Sequence, residues 1–227
     1  MTIEEYFGDW CHIIDVNYAE RLHSKLLRDK HLLCPLPKDV FKAFHLCSLK
    51  SLRVVVIGQD PYSNFKGNKP MATGIAFGNS LQKDNIYSPS LEVLRESVID
   101  FTIPHLEINF DLSLEKWEKQ GVLMLNSALT CSRELPGSHS SYWRNFTKSL
   151  LVNLSRNTTG IVYVLLGSTA QSFEQFINPM TNHILKEKHP SWYARYKTKM
   201  PSDIWREINR ILIGQNGYGI GWYEEFS

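Results

Sequence analysis

The chain has little cysteine, no long apolar run and almost no excess of either charge, and each shortage excludes something. Cys11, Cys34, Cys47 and Cys131 form no Cys-x-x-Cys pair and no nearby Cys/His quartet, so neither a secreted disulfide framework nor a structural zinc is expected. The thiols are expected to be reduced, in a cytoplasmic setting or a nuclear one if the source is eukaryotic or viral. No window approaches the eighteen or so consecutive apolar residues of a membrane span. Met1-Thr2-Ile3-Glu4-Glu5-Tyr6 is acidic and aromatic where a signal or transit peptide is basic, so neither export nor membrane contact is expected. Lys and Arg number 25 against 23 Asp and Glu, a formal +2, too little for bulk charge to announce a nucleic-acid binder. Also absent are Gly-x-Gly-x-x-Gly, a Walker sequence, His-Glu-x-x-His and Gly-x-Ser-x-Gly, which removes the strongest dinucleotide, triphosphatase, zinc-protease and serine-hydrolase signals.

What is present is a chain of 227 residues, 43% hydrophobic, long enough to bury one large core. Four short apolar runs each end in small or polar residues, as buried strands of a parallel sheet do. They are Leu52–Ile57 running into Gly58-Gln59-Asp60-Pro61-Tyr62, Val122–Leu125 ending at Asn126-Ser127, Ile161–Leu166 stopped by Gly167-Ser168, and His183–Lys186 leading to His189-Pro190-Ser191. Around them the apolar spacing changes to three and four, which predicts helices. Tyr18, Leu22 and Leu26-Leu27 mark one; Leu91, Leu94 and Val98 mark another, opened by Ser88-Pro89-Ser90 as cap and first turn. Trp143, Phe146, Leu150 and Leu154 give a third. A fourth is expected from a Ser168 cap through Ala170, Phe173 and Phe176, and a fifth at Ile204, Ile208 and Ile211-Leu212. This alternation predicts a single α/β domain over residues 1–227, a central, mainly parallel four-stranded sheet flanked by helices as an α/β/α sandwich. Residues 1–48 form its helical N-terminal part, 52–195 the core, and 202–227 a C-terminal helix and tail. The stretch Ser63–Pro70 is the richest in Gly, Pro and Asn and is expected to be a loop.

Ligands of open parallel sheets bind beyond the carboxyl ends of the strands, and all four ends here are polar. Asp60 is a candidate acid or base after a Gly turn and before a conformationally fixed Pro, although an Asp before Pro also commonly caps a turn. Asn126 offers the acceptor and donor needed to read a base edge, or ordinary turn bonds. His189 opens the most basic stretch: from His183 to Lys199, five Lys and Arg stand against Glu187 alone, with Trp192, Tyr193 and Tyr196 interleaved. That pattern suits a nucleic-acid edge, and equally a solvated charged face. His139 is read as structural.

In order and spacing these segments resemble the classical single-domain uracil-DNA glycosylases. Gly58-Gln59-Asp60-Pro61-Tyr62 is similar to the family's water-activating loop, Gly121–Asn126 to its uracil-reading strand, and His189-Pro190-Ser191 to the start of its minor-groove loop. Thr73-Gly74-Ile75-Ala76-Phe77 resembles the segment with the stacking Phe, Ser88-Pro89-Ser90-Leu91 the proline-rich backbone-gripping loop, and Leu166-Gly167-Ser168 the Gly-Ser loop. The resemblance spans about residues 50 to 195. It implies an enzyme that flips a nucleotide out of DNA and hydrolyses the bond between the sugar and uracil, leaving an abasic site. Carried over by residue, it implies Asp60 and His189 as catalytic, with Gln59, Tyr62, Phe77 and Asn126 binding uracil. Ser88, Pro89, Ser90, Gly167, Ser168, Pro190, Ser191, Trp192, Tyr193 and Arg195 would meet DNA. No metal or cofactor is implied. The expected partner is uracil-containing DNA, single- or double-stranded, bound by a monomer; a protein inhibitor or replication partner is left open.

Three departures mark a divergent member. Ser63 stands where the family usually has His after the Tyr, Gly78 follows the Phe where it has Ser, and Ser191-Trp192-Tyr193 replaces Ser-Pro-Leu, leaving open which ring wedges into the duplex. The alternatives are a glycosylase for another damaged base, or a DNA-binding replication-accessory module with weak catalysis.

Overall fold

The computed structural model describes residues 3–27, 32–81, 84, 86–99 and 108–225; Met1, Thr2 and the last two residues of the tail lie outside them. Its centre is a four-stranded, wholly parallel sheet of β1 (Val54–Gly58), β2 (Val122–Asn126), β3 (Val162–Leu166) and β4 (His183–Glu187), in spatial order β2-β1-β3-β4. These are the four expected strands. Leu52, Arg53 and Ile161 fall just outside; Arg53 instead turns its guanidinium to the Gln120 carbonyl, 2.7 Å from Nη2.

The continuous apolar runs follow from burial of both sheet faces. Val55, Ile57, Leu123, Leu125, Tyr163 and Leu165 point to one side, into a core shared with α1 (Val16–Leu26), the short helix Lys42–Leu46 and α3 (Ser140–Asn157). Their neighbours Val54, Val56, Val122, Met124, Val162 and Val164 point to the other, against α2 (Pro89–Ile99) and α6 (Asp203–Asn216). Each fully buried Val, Leu or Ile stabilises this arrangement by about 1.5–3 kcal/mol. In α2 the Ser88 hydroxyl accepts the Leu91 N–H at 3.3 Å, the expected cap.

Two further helices begin at the ends of strands. α4 (Gly167–Gln171) follows β3 without a break, and α5 (Pro190–Tyr196) starts three residues beyond β4. Two expectations change here. Ser168 is not a cap, because the helix already starts at Gly167 and Leu166 occupies the capping position without a side-chain bond; the later turn, Glu174–Phe176, is a separate 3-10 helix. The segment Ser63–Pro70 holds a small hairpin, Phe65–Lys66 against Lys69–Pro70, with Gly67 at φ +59° in its turn.

β2 lies at an edge of the sheet, and its central outward-facing residue is occupied by side elements. Met124 N–H donates to Glu118 Oε1 at 2.9 Å, and the Met124 carbonyl accepts Ala76 N–H at 2.9 Å. The second bond hangs the Thr73–Gly78 segment on the strand that ends at Asn126. Glu118 is fully buried, and its Oε2 has no hydrogen-bond partner among the described residues. Burial therefore pushes its pKa well above the usual carboxylate range.

Candidate active site

A narrow pocket opens at the carboxyl ends of β1, β2 and β4, lined by Asp60, Pro61, Tyr62, Phe77, Asn126 and His189, with Val40, Ala72, Gly74, Ile75, Gly78 and Leu129 completing the wall. Five residues singled out in the sequence thus meet in one slot from four separate segments. The loops after β1 and β2 are laced together beneath it: Ser127 N–H donates to the Gly58 carbonyl and Ala128 N–H to the Gln59 carbonyl, both at 3.0 Å, and Ser127 Oγ donates to Gln59 at 2.8 Å. The Gln59 side chain is exposed and absent from the lining; its backbone N–H, with no acceptor among the described residues, is the group it offers.

Asp60 Oδ2 accepts the Gly137 N–H at 2.5 Å, across 77 positions of sequence. Partial burial raises the carboxyl above its ordinary pKa, and the Gly137 bond holds it back down. The sequence carries no signal for Gly137 beyond its proximity to Ser138-His139. His139 itself is structural, as expected, bonded to Thr130 Oγ1 at 2.9 Å and Ser132 Oγ at 3.2 Å.

His189 caps α5. Its Nδ1 lies 2.8 Å from Ser191 Oγ and accepts the Ser191 backbone N–H at 3.2 Å. A backbone N–H can only donate, so Nδ1 carries the lone pair and the neutral ring holds its proton on Nε2. Burial pushes the imidazole down to about 4, which keeps it neutral at pH 7. The ring packs on Phe77, with centroids 5.5 Å apart, and its Cβ crowds Gly167. A Cβ at Gly167, φ +87°, would lie 2.8 Å from it, so only glycine fits there.

Phe77 sits at φ +65°, a left-handed conformation costing roughly 1–2 kcal/mol for a residue with a side chain. Its carbonyl accepts the Tyr62 hydroxyl at 3.1 Å, and the Ser88 hydroxyl bonds Tyr62 in turn. Asn126 is buried, and its amide makes no hydrogen bond among the described residues, so donor and acceptor are both open to a ligand. Gly58 allows that amide to lie close, since a Cβ there would stand 2.7 Å from Asn126 Oδ1.

Several residues expected at the DNA surface are placed otherwise. Ser88 and Ser90 are buried, the former facing Tyr62 and the α2 cap, which leaves Pro89 exposed in that loop. The Ser191 hydroxyl is committed to His189. Tyr193, considered above as a wedge, is 6% exposed, its ring in the core and its hydroxyl donating to Glu187. Pro190 is buried beside it. Ser168, Trp192 and Arg195 keep exposed surface, and Trp192 packs against Tyr196 at a tilt of 40°, with ring centroids 4.7 Å apart and Lys188 Nζ 3.7 Å from the centre of its ring. Of the five cations between His183 and Lys199, Lys186 is paired with Glu174.

The strand ends of a parallel sheet thus gather a carboxylate, a neutral imidazole donor and an amide unpartnered among the described residues round an aromatic-walled slot, a constellation suited to binding a planar ring with polar edges. The comparisons make this specific. The family model for the uracil DNA glycosylase superfamily matches residues 44–213. The uracil-DNA glycosylase of Amoebophilus asiaticus is 35% identical over 209 residues, 90% of this chain and 91% of its own. That of Coxiella burnetii is 36% identical over 221 residues, 96% and 89% of the two. The crystal structure of mimivirus uracil-DNA glycosylase superposes with a TM-score of 0.77 at 26% identity, covering 97% of this chain and 86% of that one. Mimivirus UNG Y322F in complex with UGI gives the same TM-score and identity over 90% and 82%. The chain belongs to the uracil DNA glycosylase superfamily. It is a DNA-repair glycosylase that excises uracil, and the readings as an accessory module or as an enzyme for another base are not favoured.

Proposed function

We propose that the five pocket residues divide the reaction as follows. Cleavage of the bond between C1′ and N1 develops positive charge on the sugar and negative charge on the departing uracil, so the site must stabilise opposite charges close together. Asp60, as a carboxylate steadied by Gly137, holds the attacking water and faces the cationic sugar. His189 donates from Nε2 to uracil O2 as negative charge grows there, and the Gln59 N–H adds a second donor at the carbonyl edge. Asn126 donates to O4 and accepts from N3–H; cytosine inverts both demands and leaves buried polar groups unpaired, the strongest form of discrimination. Phe77 stacks on the base, and Tyr62 occupies the space at C5 that a thymine methyl needs. The observation that carries this reading is the tautomer of His189, fixed by the Ser191 N–H, which leaves its one proton on Nε2 without an acceptor among the described residues.

Phosphates are then met by the exposed Ser168 hydroxyl with Gly167, by Pro89 and the Ser90 N–H at the start of α2, and by Arg195, with Trp192 as the aromatic wedge. These contacts set register without reading sequence. The enzyme acts as a monomer on single- or double-stranded DNA in a reducing compartment, and UGI, bound by the mimivirus relative, is expected to inhibit it. Incubation with a uracil-containing oligonucleotide in EDTA followed by alkali tests the whole scheme: strand scission is expected, lost with His189→Ala or added UGI. Normal scission by His189→Ala would refute the assignment of the histidine.

A further inference from the structure

Glu187 and Tyr193 meet across the very segment that carries His189. Tyr193 lies on α5 with its ring inside the core that holds Leu166 and Met200. Its hydroxyl, at the rim, donates to Glu187 Oε1 at 2.6 Å. The same oxygen accepts the Lys188 backbone N–H at 2.7 Å, and the Glu187 carbonyl accepts Gln171 Nε2 at 2.9 Å. Glu187 closes β4 and is thereby tied to the sheet, to α4 and to α5 together. His189 stands between the two partners, extended at φ −64°, ψ 138°, on a stretch of Glu187–Pro190 outside regular structure except at its ends.

A short hydrogen bond from a hydroxyl to a carboxylate is of the strong, charge-assisted kind, and it closes the chain round His189 as a ring. Without it, the side-chain link left across His189 is the looser contact of Lys188 Nζ with the Trp192 ring, and the imidazole is held by Ser191 at Nδ1 and by packing on Gly167 and Phe77.

We propose that the Glu187–Tyr193 pair is a clasp that positions His189, so that Nε2 faces uracil before DNA binds; neither residue touches substrate. The inference rests on the role assigned to His189 above. It also separates the two aromatic neighbours: Tyr193 serves inward through its hydroxyl, and Trp192 faces DNA.

The contrast between phenylalanine and tyrosine decides the matter, because a wedge needs a ring whereas a clasp needs the hydroxyl. Tyr193→Phe is expected to slow single-turnover uracil release about 10- to 100-fold, the scale of a misplacement of up to an ångström at a reacting centre. The slowing should be equal on single-stranded and duplex substrates, with affinity for an abasic-site duplex within twofold of the parent. Glu187→Ala should match it, and the double variant should be no slower than either single one. Glu187→Gln, whose oxygen still accepts from both donors, should restore most of the rate. In the ¹⁵N spectrum of the imidazole, Tyr193→Phe should broaden or shift the His189 signals while the thermal midpoint stays close to that of the parent. Tyr193→Phe at the parental rate, or slow on duplex alone with weakened abasic-site binding, would overturn the clasp. If Tyr193→Phe does not fold, the Glu187 pair decides alone: equal rates for Glu187→Ala and the parent overturn it. His189→Ala runs beside them. Slow His189→Ala with fast Tyr193→Phe refutes the clasp and leaves the histidine's role intact; fast His189→Ala refutes that role itself, and the clasp with it.

Discussion

Replacing Gly58 with alanine places a methyl group where the structure has none to spare. The new carbon would lie 2.7 Å from Asn126 Oδ1 and 3.1 Å from Phe77 Cζ, so the amide must withdraw by about half an ångström or more to reach ordinary contact. Gly58 ends β1 and is not among the glycines with positive φ, so the backbone itself accepts alanine. The damage falls on recognition. Asn126 is assigned two hydrogen bonds to uracil, and at roughly 0.5–1.5 kcal/mol net for each neutral bond their loss removes about 1–3 kcal/mol from the transition state. That corresponds to a rate about 5- to 150-fold lower. The assay is single-turnover release of uracil from a single-stranded oligonucleotide, beside a thermal melt and the double variant with Asn126→Ala. The melt should stay near the parent, and the double variant should be no slower than Asn126→Ala alone, because both changes act on one amide. A Gly58→Ala enzyme working within twofold of the parent would refute the close approach as the basis of recognition, as would losses that simply multiply in the double variant.

Other outcomes follow from single groups. Asp60→Asn keeps the Gly137 bond but removes the charge, and should lower the rate by two orders of magnitude or more; near-normal single-turnover kinetics would sink the assigned role. Because burial raises Asp60, activity should fall on acidification along a limb shifted upward from the ordinary Asp range, while His189, pushed down to about 4, stays neutral at pH 7. A pH–rate profile with no acid limb would contradict the carboxylate role of Asp60. Glu118 has its pKa raised in the folded state, so the native protein keeps a proton that the unfolded chain releases, and stability from this group declines as pH rises through the ordinary Glu range. Glu118→Gln cannot ionise. Its melting point relative to the parent should therefore rise between pH 4 and pH 7, and a gap independent of pH would show that the carboxyl is not protonated inside the fold.

The sheet was legible because strands covered on both faces must be apolar at every position, and the runs at Val54–Ile57 and Val162–Leu166 are. Asp60, Asn126 and His189 were legible because loop chemistry sits at strand ends, where a parallel sheet gathers it, whereas Tyr62 and Phe77 were singled out by the family resemblance. What could not be read were facts of orientation. Ser88 and Ser191 have the composition of phosphate donors, yet their hydroxyls turn to Tyr62 and His189. Trp192 and Tyr193 are adjacent aromatics in one helical turn, and which faces outward depends on Glu187 accepting a hydroxyl from the inner one. The grip of Gly137 on Asp60 joins loops far apart in the chain, and a spacing rule has no access to it.

The strand that ends in Asn126 is an edge strand, and such an edge ordinarily invites any extended chain to add itself to the sheet. At its middle, Met124 has nothing to give: Glu118 holds its N–H and Ala76 its carbonyl. These two bonds, the second of which suspends the Phe77 segment, therefore also blunt the edge as a template for strand-by-strand growth. Glu118→Ala would free the Met124 N–H at that edge while Ala76 still holds the carbonyl, so self-association should rise without release of the Phe77 segment.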